Sequence, residues 1–436
     1  MMNKIYTGII YTGLTILMVF APLARGATNN RLWATTIVLF LIYTVVFAGL
    51  LKNVNQGKGL GFSQSRGGHW TGLSLPFIGL VSVSIISFAF SIYKYESFYA
   101  LLKFLGYAGL YYVVVSNYTR RLMWYLVTVS IVIAAGLSIY GLLQYFGVLA
   151  HDWWVPKEFL SASYVNHNHF AGYIEMVVPI VLGLGLSLFT SHNRKHSRRV
   201  SWLLLFSFVL AVMLTAFIFS QSRGAWVCLA LSLLIMNVFL IRRKLLKAYS
   251  LFIFILIMAG MLFYLYYSDS NVSQRVGTMV DIAQGEASMG TRMDIWQGTI
   301  KMIADKPLTG VGAGCFEWGF PKYRSESLGK ALIRPRYAHN DYLHLASELG
   351  VFGLIFMVWI LVVLVSRGIR RLDARARNSK EVAVNYVILA CGIGLLSLSL
   401  HGLVDFNFNI PANMILFIIL AAIVSGEHKN NVKNRG

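Results

Sequence analysis

The chain of 436 residues carries 38 lysines and arginines against 17 aspartates and glutamates, a net charge of +21, yet only 13% of its residues are charged and 57% are hydrophobic. A soluble domain coats its surface with about 25% charged residues, so the composition excludes a soluble globular protein. The basic excess falls in short clusters between apolar runs, the pattern of a membrane topology signal and not of a nucleic-acid-binding surface.

Apolar runs of the length needed to span a bilayer, about 20 residues, recur along the chain. They lie near 5–24, 33–51, 74–93, 100–116, 123–147, 170–190, 202–220, 224–241, 249–267, 349–366, 382–400 and 411–425. The first is long for the apolar core of a signal peptide, and Arg25-Gly26-Ala27 after it is a poor cleavage site, so it reads as a retained helix. The pattern predicts an all-α polytopic membrane protein of about 12 transmembrane helices, with one large, partly helical loop on the outer face between helices 9 and 10. The corresponding division is helices 1–9 over 1–267, a loop subdomain over 268–348, and helices 10–12 with a tail over 349–436.

The connections alternate in charge. One side holds Lys4, Lys52, Lys58, Arg66, Arg120, Arg121, the Arg194–Arg199 cluster, Arg242–Lys247, Arg367–Lys380 and the tail residues Lys429, Lys433 and Arg435, 23 of the 38 basic residues in all. That side is expected to be cytoplasmic, with both termini on it. The long loop, with nine basic and nine acidic residues, then lies outside. Its aromatic content (Trp296, Phe316, Trp318, Phe320, Tyr323) argues that it folds. Within it, Met293, Trp296, Ile300 and Ile303 recur at helical spacing, predicting a helix over Arg292–Asp305 with those residues on its apolar face. Lys306-Pro307 ends it. The glycine-rich Thr309–Gly314 stretch fits neither a Walker A loop nor a dinucleotide fingerprint and reads as a turn or a close backbone approach. Cys228, Cys315 and Cys391 lack metal-ligand spacing, and only Cys315 lies in a soluble segment, so no structural disulfide is expected.

Five polar clusters fall on the outer face: Tyr164–His169, Gln221-Ser222-Arg223, Gly290-Thr291-Arg292, Tyr337–Tyr342 and His401–Asp405. Five clusters on one face point to a shared site. Arg223 interrupts an apolar hairpin at the membrane boundary, where an ionisable group is costly. It either binds an anion such as a diphosphate in its planar fork or snorkels to lipid phosphate. Arg292 fits the same anion-binding role or a solvated loop. His339 is a candidate general base because imidazole titrates near neutral pH; His167, His169, His344 and His401 compete with it. Glu175 is either a proton-pathway residue or a hydrogen-bonded packing residue. A metal site at His167 and His169, or at His339 and Asp341, lacks the supporting carboxylate pattern.

These residues carry a resemblance to the O-antigen ligase and polymerase family of bacterial envelope glycosyltransferases. It rests on Asn166-His-Asn-His-Phe-Ala-Gly172 with Glu175 and Pro179; on Ser222-Arg223-Gly224; on Arg292 with Trp296 and Asp305–Gly312; on His339-Asn340-Asp341-Tyr-Leu343 with Glu348, Gly350 and Gly353; and on His401 with Asp405. The resemblance spans roughly 161–411. It implies glycosyl transfer at the periplasmic face of the bacterial inner membrane, with no metal and no cofactor. The donor would be an undecaprenyl-diphosphate-linked glycan and the acceptor a lipid A–core sugar or a lipid-linked glycan. Arg223 and Arg292 would hold the diphosphate, and His339 would act as the catalytic base. Asn166, His167, His169, Ser222, Asn340, Asp341, His401 and Asp405 would furnish the supporting polar site. Arg334 and Arg336, close to His339 in sequence, compete for the donor-binding role. Two acceptors distinguish ligase from polymerase, with a protein hydroxyl as a third. A transporter or flippase of lipid-linked sugars is the alternative from another class; against it, the chain shows no obvious repeat of halves and few charges at mid-membrane.

Overall fold

The computed structural model describes residues 2–28, 32–57, 71–149, 159–190, 196–246, 250, 289–326, 328, 334–370 and 379–426. Among these residues it contains helices and turns and no strand. In chain order the helices are α1 (Met2–Leu23), α2 (Leu32–Asn55), α3 (Ser74–Ala89), α4 (Lys94–Ser116), α5 (Arg120–Tyr145), α6 (His167–Thr190), α7 (His196–Phe219), α8 (Arg223–Arg242), α9 (Met289–Asp305), α10 (Phe316–Gly319), α11 (Asp341–Arg370), α12 (Ser379–His401) and α13 (Pro411–Ser425).

Nine of these helices are long and apolar enough to cross a membrane: α1, α2, α4 to α8, α11 and α12. Two of the twelve expected spans are shorter. At about 1.5 Å per residue, the 16 residues of α3 and the 15 of α13 fall short of a hydrocarbon core about 30 Å thick. The expected span at 249–267 and the start of the outer loop, 268–288, lie outside the described residues.

The helices sort by how much of their surface the protein covers. In α6 and α12, 83% of the apolar window is buried, against 17% in α7, which faces outward. Small residues set the α6–α12 contact, as close helix approach in a bilayer requires. A Cβ on Gly394 would sit 2.3 Å from the Met176 carbonyl oxygen, and one on Gly183 would sit 2.8 Å from Ala390 Cβ. The α13 helix carries no charge and is covered on all sides, Ile418 through Ala422 being fully buried. An apolar helix without a polar face has only that solution. Serines inside the bundle turn their hydroxyls back onto their own helix: Ser84, Ser130, Ser138 and Ser399 each donate to the carbonyl four residues earlier. Each polar group is thereby satisfied without water.

The connections gather at the two ends of the bundle. At one end Arg367 donates to the Ser425 carbonyl at 3.1 Å, and Gly426 packs on Tyr118. The other end brings together the turns after α1, α3, α7 and α12 and the segment before α6. Ser163 Oγ donates to the Pro22 carbonyl at 2.8 Å, the Leu160 amide to that of Phe219 at 3.0 Å, and the Asp341 amide to that of Gly402 at 2.7 Å.

A small subdomain built on α9 and α10 covers this second end. The helix expected at 292–305 is present and ends at Asp305, but its buried face differs from the one its spacing predicted. Ile295, Gly298, Thr299 and Met302 point inward, whereas Met293 and Ile300 are more than half exposed. Gly298 decides the face: a Cβ there would lie 2.8 Å from both the Phe320 ring and the Tyr323 carbonyl oxygen. The helix turns its smallest surface toward the Phe316–Phe320 stack.

The glycine-rich stretch is a close backbone approach. The Val311 amide donates to the Ser347 carbonyl and the Gly312 amide to that of Glu348, while the Val311 carbonyl accepts from Ile92. Gly310 has φ +64° and no room for a side chain against Glu348. Opposite it, α11 breaks at Gly350 (φ 72°, ψ −174°), where the Val351 amide donates to the Pro307 carbonyl at 2.8 Å. Glu348 Oε1 accepts the Phe316 amide at 3.0 Å. This subdomain is thus anchored by backbone bonds to the α3–α4 turn and to the α11 break.

Candidate active site

The site forms around the turn after α12, residues 401–405. The Val404 and Asp405 amides both donate to the His401 carbonyl at 3.0 Å, which fixes the turn. Arg292, on the first turns of α9, donates from Nη1 to the Val404 carbonyl. A cation placed on the carbonyl end of a helix is a favourable arrangement. From the other side, the start of α8 abuts the same turn: a Cβ on Gly224 would lie 3.3 Å from Val404 Cγ2 and 3.4 Å from the His401 Nε2 atom. Arg223, the residue before it, is exposed at the first position of α8.

Asp405 is the carboxylate of the site. Its Oδ1 lies 3.9 Å from His339 Nδ1 and 4.0 Å from His169 Nε2, and it accepts the Phe406 amide at 2.8 Å. The side chain is 3% exposed. Burial opposes its charge, but Arg292 and the histidines at 169, 339 and 401 outweigh burial and hold it down at about 2. Burial lowers His339 to about 4; Asp405 works against that shift, and Arg292 and His344 reinforce it. At neutral pH the arrangement is therefore an ionised carboxylate facing a neutral imidazole.

Phe406 walls this pair. Its ring lies 4.6 Å from His169 and 4.9 Å from His339, both edge-on, and stacks on Tyr337 at 4.3 Å. His339 itself has φ +51°, a left-handed conformation uncommon outside glycine. The Trp296 indole donates to its carbonyl at 3.3 Å, and the adjacent Asn340 locks the chain from the other side. The Asn340 amide donates to the Leu403 carbonyl at 2.8 Å, while its Oδ1 accepts the amides of Tyr342 and Leu343, capping α11. Gln221, just before Ser222 and Arg223, is left-handed as well (φ +53°).

The remaining sequence candidates sit around this centre in defined roles. Asn166 accepts the Asn168 amide at 2.7 Å and caps the start of α6. His167 uses Nδ1 toward the Ser220 carbonyl at 2.5 Å and stacks on Phe159, pinning α6 to the turn that presents Ser222 and Arg223. Asp341 accepts the Phe408 amide and the Asn409 side chain, fixing the stretch after Asp405. His401 Nδ1 pairs with Glu175 Oε1 at 2.9 Å, and Ser397 donates to the other oxygen of Glu175 at 3.0 Å. Glu175 is fully buried and joins α6 to α12 as a packing residue. His344 is enclosed: its Nδ1 accepts the Ala338 amide at 3.4 Å, and its Nε2 lies 3.4 Å from Glu348. Arg334 and Arg336 pair with Glu317, with Nε–carboxylate distances of 3.8 and 3.2 Å.

Of the three principal candidates, His339 and Arg292 thus meet the 401–405 turn directly, and the Arg223-Gly224 helix start packs against it. His169 and Asp405 join them. Sequence reasoning missed Phe406, whose place beside the His401–Asp405 cluster was its only signal, and Asn413, whose side chain bonds the His169 carbonyl and Asn407. Among the described residues no group of three or more histidines, cysteines or carboxylates is placed to hold a metal ion.

The fold and site together define a multi-pass helical membrane protein with an arginine–histidine–carboxylate centre at one end of its bundle. Residues 206–358 match the model of the O-antigen ligase family. The matched stretch contains Arg223, Arg292 and His339. The chain is also similar to an uncharacterized protein of Haemophilus influenzae, 23% identical over 195 residues, which are 42% of this chain and 48% of the relative. The chain thus spans about half the length of that curated relative.

Proposed function

We propose that the protein transfers a glycan from undecaprenyl diphosphate to a sugar hydroxyl at the periplasmic face of the bacterial inner membrane, acting as an O-antigen ligase on lipid A–core. The observation that carries this reading is the convergence of Arg292, His339 and the Arg223 helix start on one turn beside Asp405. The family match over 206–358 supports it. In this reading the arginine-rich connections and both termini face the cytoplasm, as the charge bias of the loops favours. In the same reading the subdomain built on α9 and α10 faces the periplasm.

The acceptor hydroxyl oxygen attacks the anomeric carbon and forms the new glycosidic bond. The bond from that carbon to the diphosphate oxygen breaks, and its electron pair leaves with the diphosphate. The hydroxyl proton passes to His339. Arg223 and Arg292 hold the diphosphate, and fixed guanidinium groups stabilise charge where it develops. Asp405 stays ionised and stabilises the imidazolium as it forms, in the way a buried carboxylate serves a histidine base elsewhere. A free-site value of about 4 makes His339 a weak base. The negative diphosphate entering beside it opposes Arg292 and raises its basicity once donor is bound. No step requires a metal.

The test uses purified protein in detergent with an undecaprenyl-diphosphate glycan and two acceptors, rough lipopolysaccharide and a lipid-linked single repeat unit. Transfer to rough lipopolysaccharide, abolished in His339→Ala and Arg223→Ala and indifferent to chelator, is the expected result. Growth on the lipid-linked unit alone makes the protein a polymerase with the same machinery. Failure with both acceptors overturns the ligase and polymerase readings and favours a transporter of the lipid-linked glycan or transfer to a protein hydroxyl.

A further inference from the structure

The outer subdomain carries a cleft of about 370 Å³ that is separate from the His339–Asp405 turn. Its lining is Glu317, Phe320, Pro321, Arg324, Arg334 and Pro335. The wall is rigid. Phe320 is fully buried and stacks on Phe316 at 5.1 Å, and two prolines flank the opening. The Arg334 guanidinium lies over the Trp318 ring at 4.8 Å, with Glu317 3.8 Å away on its other flank.

The charges do not balance within the cleft. Glu317 is its one carboxylate among the described residues, and Arg336, from just outside the lining, already takes its second oxygen at 3.2 Å. Arg334 shares Glu317 with Arg336, and Arg324, which is exposed, makes no ion pair among the described residues. Two guanidinium groups therefore face a space with less than one carboxylate to neutralise them. Planar guanidinium forks pair with carboxylate and phosphate oxygens, and a carboxylate between them accepts bonds from sugar hydroxyls. The volume falls at the small end of ligand pockets, about 300–1,000 Å³.

Position connects the cleft to the chemistry. Pro335 is four residues from His339, a separation of at most about 14 Å along the chain. The intervening segment is fixed: Tyr337 stacks on Phe406, and the Ala338 amide bonds to His344. A glycan held in the cleft would lie within a few sugar units of the base.

We propose that this cleft is an acceptor subsite that binds an anionic sugar, carboxylated or phosphorylated, within a few units of the sugar whose hydroxyl attacks. The inference rests on the transferase reading, and its test measures binding without turnover, so that the two fail separately. Full-length protein in phosphatidylcholine nanodiscs is titrated calorimetrically with trigalacturonate and with its neutral methyl ester. The acid is expected to bind at least about tenfold more tightly, because each charge-assisted pair contributes roughly tenfold in affinity. Arg324→Gln and Arg334→Gln should each weaken the acid about tenfold and leave the ester unchanged, and Arg334→Lys should restore part of the loss. Arg324 is exposed, so its variant keeps the fold, and an unchanged melting curve checks this. Equal affinities for acid and ester, or variants that bind as wild type does, overturn the proposal. Loss of trigalacturonate binding in phosphatidylglycerol nanodiscs assigns the cleft to lipid headgroups and overturns it as well.

Discussion

Replacing Asp405 by Asn tests the site where its parts depend most on one another. The Asp405 carboxylate lies 3.9 Å from His339 Nδ1. At an effective dielectric of about 20, two unit charges at that distance attract by about 4 kcal/mol. That is the most Asp405 can contribute to an imidazolium formed in full at the transition state, worth about a thousandfold in rate. Half a proton transferred gives about 2 kcal/mol, or roughly thirtyfold. The expectation is therefore a fall in kcat of between about 30-fold and 1,000-fold, with donor KM little changed. The assay is transfer of radiolabelled glycan in detergent, with the melting temperature of each variant measured alongside. A double-mutant cycle separates positioning from damage to the fold: in a His339→Gln background, Asp405→Asn should cost little more. Loss of less than threefold in the single variant refutes the reasoning, as does a full loss that persists when His339 is already absent.

Four further outcomes follow from the same geometry. Because His339 is held at about 4 in the free site, below the ordinary histidine value of about 6.5, its neutral, base-competent form predominates at every pH above about 4. The acid limb of kcat/KM should fall near pH 4, and a limb near 6.5 would show that His339 titrates as an exposed histidine and is not the base. Arg292→Lys keeps the charge but removes the fork that reaches Val404, and kcat should drop by about 100-fold; a variant retaining a third of its activity would exclude Arg292 from the donor site. Gly350→Ala places a Cβ 2.3 Å from the Leu308 carbonyl oxygen at φ 72° and ψ −174°, and thermal unfolding should show a loss of about 3 kcal/mol or more. Asn340→Ala removes the cap on α11 and should cost about 1–2 kcal/mol by the same measurement, with a matching loss of transfer because His339 is its neighbour.

Several of these properties were legible in the sequence. Run length and charge placement determined an all-helical membrane protein, since a bilayer leaves the backbone few other ways to satisfy its hydrogen bonds. Turn chemistry determined the end of α9 at Asp305, where Lys306-Pro307 stops a helix for local steric reasons. The candidate residues Arg223, Arg292 and His339 were visible because ionisable groups at a membrane boundary are costly and therefore sparse. Which residues meet was a different matter. The buried face of α9 was set by Gly298 against Phe320 and Tyr323, a contact between elements that spacing within one helix does not encode. The shortness of α13 was hidden because a fully buried apolar helix and a membrane-spanning one share a composition, and only the packing around α13 distinguishes them. The five polar clusters became one centre through the turn at 401–405, which collects residues more than two hundred positions apart: Asp405 beside His169, and Glu175 on His401. Tertiary structure also separated the histidines. Their side chains are chemically identical, and only the enclosure of His344, the pairing of His401 with Glu175 and the placement of His339 beside Asp405 and Arg292 gave each a different role.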